Sequence, residues 1–213
     1  MLLTIITTFV IGFSLVSAYK DFRKDTSLLK FVYLSRPLDY LWSFLMVLGV
    51  MTSVIFLANA GLPKFMTWSW ISLISDSKSQ GGNLITAPLA SNSIAVVAGF
   101  WLLLSLSLPY LAKSEEEMFR SMTFGTKKRI VTNIKFGLVH MIVGVPLFVA
   151  LVLAVCGFIF SIFYIKAFKK ACKVNPETAD SVATNVSTSV HAKYNFLIIT
   201  LCTAFAILLL LIK

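Results

Sequence analysis

The sequence predicts an all-α fold: a polytopic bundle of transmembrane helices forming a single integral membrane domain over residues 1–213. Composition comes first, with 58% hydrophobic residues, a mean hydropathy of +0.87 and only 13% charged residues, which lies outside the range of soluble globular chains. The second observation is a series of apolar runs approaching the ~20 residues that cross a ~30 Å hydrocarbon core. The third is placement of charge. A net charge of +10 would suggest nucleic acid in a soluble protein, but here the basic residues gather in short segments beside apolar runs. That is the topology signal of a membrane protein, and no nucleic-acid partner is expected.

Taken in order, the first span is read over residues 2–19. It lacks a basic segment ahead of it and is read as retained rather than as a cleaved signal. A polar stretch, 20–36, follows with Lys20, Arg23, Lys24, Lys30 and Arg36 against Asp21 and Asp25. The excess of cations puts this loop on the cytoplasmic side and the N-terminus outside. Pro37 and Asp39 suit a helix start, so a second span is expected over 40–60. Gly61-Leu62-Pro63 ends it. The next stretch, 64–91, carries few charges but has Phe65, Trp68 and Trp70, the make-up of an interfacial aromatic belt. Gln80-Gly81-Gly82-Asn83 reads as a turn.

A third span is expected over 94–111, with Pro109 near its end, followed by a charged stretch from Lys113 to Lys135. From Phe136 to Phe168 the chain is apolar for 33 residues. A straight helix of that length would measure ~50 Å, too long for one crossing. Two helices broken near Pro146 are expected, the first beginning around Arg129. Residues 173–190, rich in Ser, Thr, Asn and Ala, read as a polar connection, and a last helix is expected from about His191. The total is about six membrane segments, with five as the alternative. The three cysteines, Cys156, Cys172 and Cys202, imply neither a disulfide framework nor a C-x-x-C metal site.

Chemistry-bearing residues are scarce enough to stand out. The chain has four glutamates, three of them in the run Glu115-Glu116-Glu117, and only two histidines, His140 and His191. Glu116 and Arg120 are four apart, as are Phe136 and His140, and His191 and Asn195, so each pair shares a helix face. Glu115 points about 100° away from Glu116 around the helix. One carboxylate is therefore available to Arg120 while its neighbour stays free as a candidate general base. Read one at a time, these residues also fit plainer roles: a solvated helix end, an interhelical histidine and an asparagine cap.

In order, Glu115-Glu116-x-x-x-Arg120, Phe136-x-x-x-His140 and His191-x-x-x-Asn195 resemble the motifs of the CPBP family of intramembrane proteases, the Abi or Rce1-like type II CAAX prenyl endopeptidases. Phe119 and Gly137 agree with the pattern, and the likeness covers about residues 111–201. Ser121 stands where members commonly have glycine, and residues 173–190 replace a shorter, tryptophan-containing linker. The resemblance implies a peptide-bond hydrolase in which Glu115 and His140 activate water. It implies that Glu116 and Arg120 brace the motif helix, and that His191 and Asn195 donate to the oxyanion. It implies no cofactor; a zinc version would use Glu115, His140 and His191. Expected partners are membrane lipids, a peptide or protein substrate that is lipidated in eukaryotic relatives, and membrane protein chains. The small size points to a prokaryotic plasma membrane. The alternative from another class is a non-catalytic membrane binding or assembly subunit of immunity or scaffold type.

Overall fold

In a computed structural model, which describes residues 2–73 and 91–212, the chain is helical, with no strand among the described residues. The elements are α1 (Leu2–Lys24), α2 (Ser27–Leu34), α3 (Leu38–Asn59), α4 (Lys64–Thr67), a 3-10 turn (Trp70–Leu73), α5 (Ile94–Phe119), α6 (Thr126–Val139) with a 3-10 extension (His140–Val143), α7 (Leu147–Cys172) and α8 (Ala179–Ile212). Four of these, α3, α5, α7 and α8, are long and apolar enough to cross a membrane. The expected Gln80–Asn83 turn lies outside the described residues.

Helix α5 does not stop at Pro109. A proline inside a helix cannot donate to the carbonyl four residues back, which here is that of Ser105. The hydroxyl of Tyr33, on α2, donates to that oxygen instead. The helix therefore continues through the glutamate run to Phe119. A second hydroxyl, that of Tyr110, donates to the carbonyl of Asp25 at 2.9 Å and ties the α1–α2 junction to the same helix.

The largest departure from expectation is α8. It begins at Ala179, twelve residues before His191, and runs unbroken for 34 residues, about 51 Å at 1.5 Å per residue. Of the stretch read as a polar connection, 173–178 do connect α7 to α8, whereas 179–190 belong to the first half of α8. Ala183, Thr184, Ser187, Thr188, Ser189 and Ala192 are buried there. Small side chains let neighbouring helices approach closely, and α8 is the element against which α3, α5 and α7 all pack. Residues from Leu201 onward, such as Phe205, Leu208 and Leu209, present apolar side chains outward, as a lipid-facing surface requires.

Three polar ties fix the start and middle of α8. The Asp180 carboxylate accepts from the Tyr164 hydroxyl, from Ser121 Oγ at 2.7 Å and from the Met122 amide at 3.1 Å, holding the turn that follows α5. Ser43 Oγ donates to the Val190 carbonyl at 2.9 Å. Lys193, fully buried, donates from Nζ to the carbonyls of Ser35 and Arg36 at 3.0 and 2.9 Å. Asp39, itself paired with Arg36 at 2.7 Å, lies 3.9 Å from the same ammonium. A buried charge is tolerated only with such a set of partners.

The break near Pro146 is real. Helix α6 starts at Thr126, close to the expected Arg129, and turns through Gly144 into α7 to form an antiparallel hairpin. Trp70 is not a free interfacial anchor: its indole N–H donates to the Met141 carbonyl at 2.8 Å, and Ser69 Oγ donates to that of Gly144 at 2.6 Å. Within the hairpin the helices nearly touch at Gly137, where an added Cβ would sit 2.2 Å from the Ala150 carbonyl oxygen and 2.7 Å from the Ala154 amide.

Backbone atoms cannot swing aside, so Gly137→Ala is expected to cost about 1–3 kcal/mol of stability and lower the detergent-solubilised unfolding temperature by several degrees. Gly49→Ala, whose Cβ would meet nothing within 4 Å, is the matched control. Equal melting of the two variants would refute close contact at Gly137.

Candidate functional site

The site begins with Glu116. Its position on the last turns of α5 aims the carboxylate inward at the first half of α8, and it is completely buried. Three partners surround it. Arg120 Nη1 lies 3.4 Å from Oε1, one turn along the chain. His191 Nδ1 lies 2.8 Å from the same oxygen. Ser187 Oγ, one turn before His191, lies against Oε2 and also 3.1 Å from the Phe160 carbonyl. A hydroxyl has a single proton, and the ionised carboxylate is the stronger acceptor.

Arg120 is equally buried, yet none of its guanidinium nitrogens has a hydrogen bond. Two contacts compensate its desolvation: the ion pair with Glu116, and the face of Phe136, whose centroid lies 4.0 Å from the guanidinium carbon. Gly157 keeps this packing possible, since a Cβ there would stand 2.9 Å from Phe136 and 3.1 Å from Arg120 Nη2.

Phe136 is the hub around which the ionisable groups are arranged. Its ring is 4.8 Å from that of His140, 5.5 Å from His191 and 5.5 Å from Phe119. His191 is further clamped by stacking on Phe160, with centroids 4.4 Å apart. Asn133, paired with Ser161 at 2.9 Å, secures α6 one turn before the hub.

The two histidines are oriented differently. A carbonyl can only accept, so His140 Nδ1–H donates to the Phe136 carbonyl at 2.7 Å, leaving Nε2 as the nitrogen able to take a proton. His191 donates from Nδ1–H to Glu116, which turns Nε2 toward Glu115 Oε2, 3.6 Å away. At that separation the two groups are within reach of a charge interaction but not of a hydrogen bond. Glu115 remains about one-third exposed, its side chain at 35%, while its buried Oε2 has no hydrogen bond.

Glu116 and Arg120 thus meet as their spacing suggested, and His191 joins them. His140 reaches the cluster through Phe136; no hydrogen bond or ion pair among the described residues links it to Glu115. Asn195 lies one turn beyond His191, half-buried, and its side chain makes no hydrogen bond among the described residues. Glu115, His140 and His191 do not converge into a metal-binding group among the described residues. Ser187 escaped the sequence reading. Its only signal is the i, i+4 spacing to His191, which in a stretch taken for a loop carries no weight.

Comparison with known proteins adds nothing to this geometry. No protein-family model, curated protein or solved structure matches the chain.

The cluster separates the two neighbouring glutamates by energy. Glu116→Gln leaves Arg120 as an uncompensated buried charge and is expected to cost about 3–5 kcal/mol. Glu115→Gln, at a part-exposed position, should stay within about 1 kcal/mol. Chemical unfolding of the two variants in detergent measures the difference, and a larger loss for Glu115→Gln would reverse the assignment.

Proposed function

We propose that the protein is an intramembrane endopeptidase of the CPBP type, acting near the face of the bilayer where α5 ends. The observation that carries this reading is the arrangement of Arg120, His140 and His191 around one buried ring, with Glu116 against Arg120 and His191 and Glu115 beside His191. Such a concentration of ionisable groups in a membrane bundle is costly unless function requires it.

In this reading Glu115 is the general base, the one acidic group of the cluster open to water. His140, with Nε2 unprotonated, is the second acceptor for the same water. His191, whose Nε2 faces Glu115, takes up the proton that Glu115 removes from the attacking water and then, with Asn195, donates to the oxyanion of the tetrahedral intermediate. Glu116 holds His191 in the tautomer that keeps Nε2 toward the reacting groups, and Arg120 balances the Glu116 charge. The role of His191 is thereby widened beyond the oxyanion, because its ring faces both glutamates. The substrate is a peptide bond in a membrane-associated or lipidated chain. The basic ends of α1, α6 and α7 face the cytoplasm, with the N-terminus outside.

Purified protein is to be assayed for cleavage of membrane-associated peptides. Glu115→Gln and His140→Ala are expected to lower kcat by at least roughly a hundredfold while leaving the fold intact. Asn195→Ala should lower it by about a hundredfold, as loss of one oxyanion donor does. Full activity in Glu115→Gln and His140→Ala would leave the non-catalytic binding subunit as the better reading.

A further inference from the structure

Four lysines and arginines have a carboxylate partner among the described residues. Lys24 pairs with Asp21, Arg36 and Lys193 with Asp39, and Arg120 with Glu116. Lys20, Arg23 and Lys30 have no such partner; what sets the α6–α7 hairpin apart is that it has no carboxylate of its own. From Met118 to Pro176 the sequence contains no aspartate or glutamate. Lys127, Lys128 and Arg129 open α6, and Lys166, Lys169 and Lys170 close α7. None of these six has an ion-pair partner among the described residues.

The fold brings the two sets to one end. Phe124, just ahead of α6, packs on Phe168 of α7 with ring centroids 4.6 Å apart, between Lys166 and Lys169 in sequence. Asn133 and Ser161 fix the register of the two helices a few turns further in. All of these cations except the half-buried Arg129 are exposed. Those on α7 suit the negative end of their own helix, whereas those on α6 crowd a positive helix start and oppose its dipole. Below them α6 exposes Ile130, Ile134 and Leu138, an apolar strip leading from the cations toward the membrane interior.

We propose that this end of the hairpin binds the phosphate headgroups of anionic membrane lipids, with acyl chains along the apolar strip of α6. Asp180 is held by Tyr164 and by the turn before α6, and the six cations, none of them ion-paired to it, match a headgroup layer in charge, while the apolar strip beneath them matches the tails. The proposal is independent of any catalytic role for the site around Phe136.

The test uses the full-length protein in phosphatidylcholine nanodiscs titrated with phosphatidylglycerol, with bound lipid counted by native mass spectrometry. Wild type is expected to enrich phosphatidylglycerol about tenfold or more over phosphatidylcholine. The preference should collapse at about 0.5 M NaCl, where screening shortens the reach of each charge. That arm needs no variant. The triple change Lys166→Gln, Lys169→Gln, Lys170→Gln should remove most of the enrichment. Lys20→Gln, Arg23→Gln, Lys30→Gln removes the same charge elsewhere and should preserve it. No preference in wild type, or equal loss in both triple variants, would overturn the proposal. So would displacement of the lipid by millimolar inorganic phosphate, which would reassign the surface to soluble anions.

Discussion

The carboxylate of Glu116 is the constraint on which the rest of the bundle depends. A fully buried negative charge in a membrane protein has to be surrounded, and its partners come from its own helix (Arg120) and from α8 (Ser187 and His191). Satisfying it places the first half of α8 against the end of α5. That half must then be small and polar, because it packs closely and faces a charge. Its Ser, Thr and Ala content is thus a consequence of where Glu116 lies. The buried pair is not a source of net stability in itself. It specifies one arrangement of helices by making every other one leave a charge alone.

Aromatic packing supplies what the polar groups lack. The Arg120 guanidinium has no hydrogen bonds, and the faces of Phe136, Phe160 and Phe119 take their place around it. Because the same Phe136 ring touches both histidines, the position of α6 is coupled to the charge cluster without any direct polar contact. Gly137 and Gly157 supply the space, the first by letting α7 close on α6 and the second by leaving room for the ring and the guanidinium.

The helical class, the apolar spans of α3, α5 and α7 and the break at Pro146 were legible in the sequence. They depend on local composition and on the backbone limits of proline. The i, i+4 spacing likewise disclosed the Glu116–Arg120 pair. What composition concealed was the first half of α8. Ser, Thr and Asn favour turns when their side chains compete for the backbone, so residues 179–190 read as a connection until their burial is known. Ser187, Asp180 and Lys193 were invisible for a related reason. Each matters through a partner 16 or more residues away, Phe160, Tyr164 and Ser35 among them, and no local pattern announces such a pairing. The contact of His191 with both glutamates was hidden too, since spacing gives the face of a helix but not which neighbour that face meets.

The bond from Tyr33 to the Ser105 carbonyl gives the N-terminal half of the chain a meaning its sequence does not advertise. Pro109 strips one backbone oxygen of its donor six residues before Glu115, in surroundings where water is not at hand to replace it. A hydroxyl from α2 supplies the replacement. The motif-bearing helices consequently cannot be lifted out as a self-sufficient unit, for without α2 that oxygen would face hydrocarbon bare. Across a lineage of such chains, the tyrosine and the proline would be gained and lost as a couple.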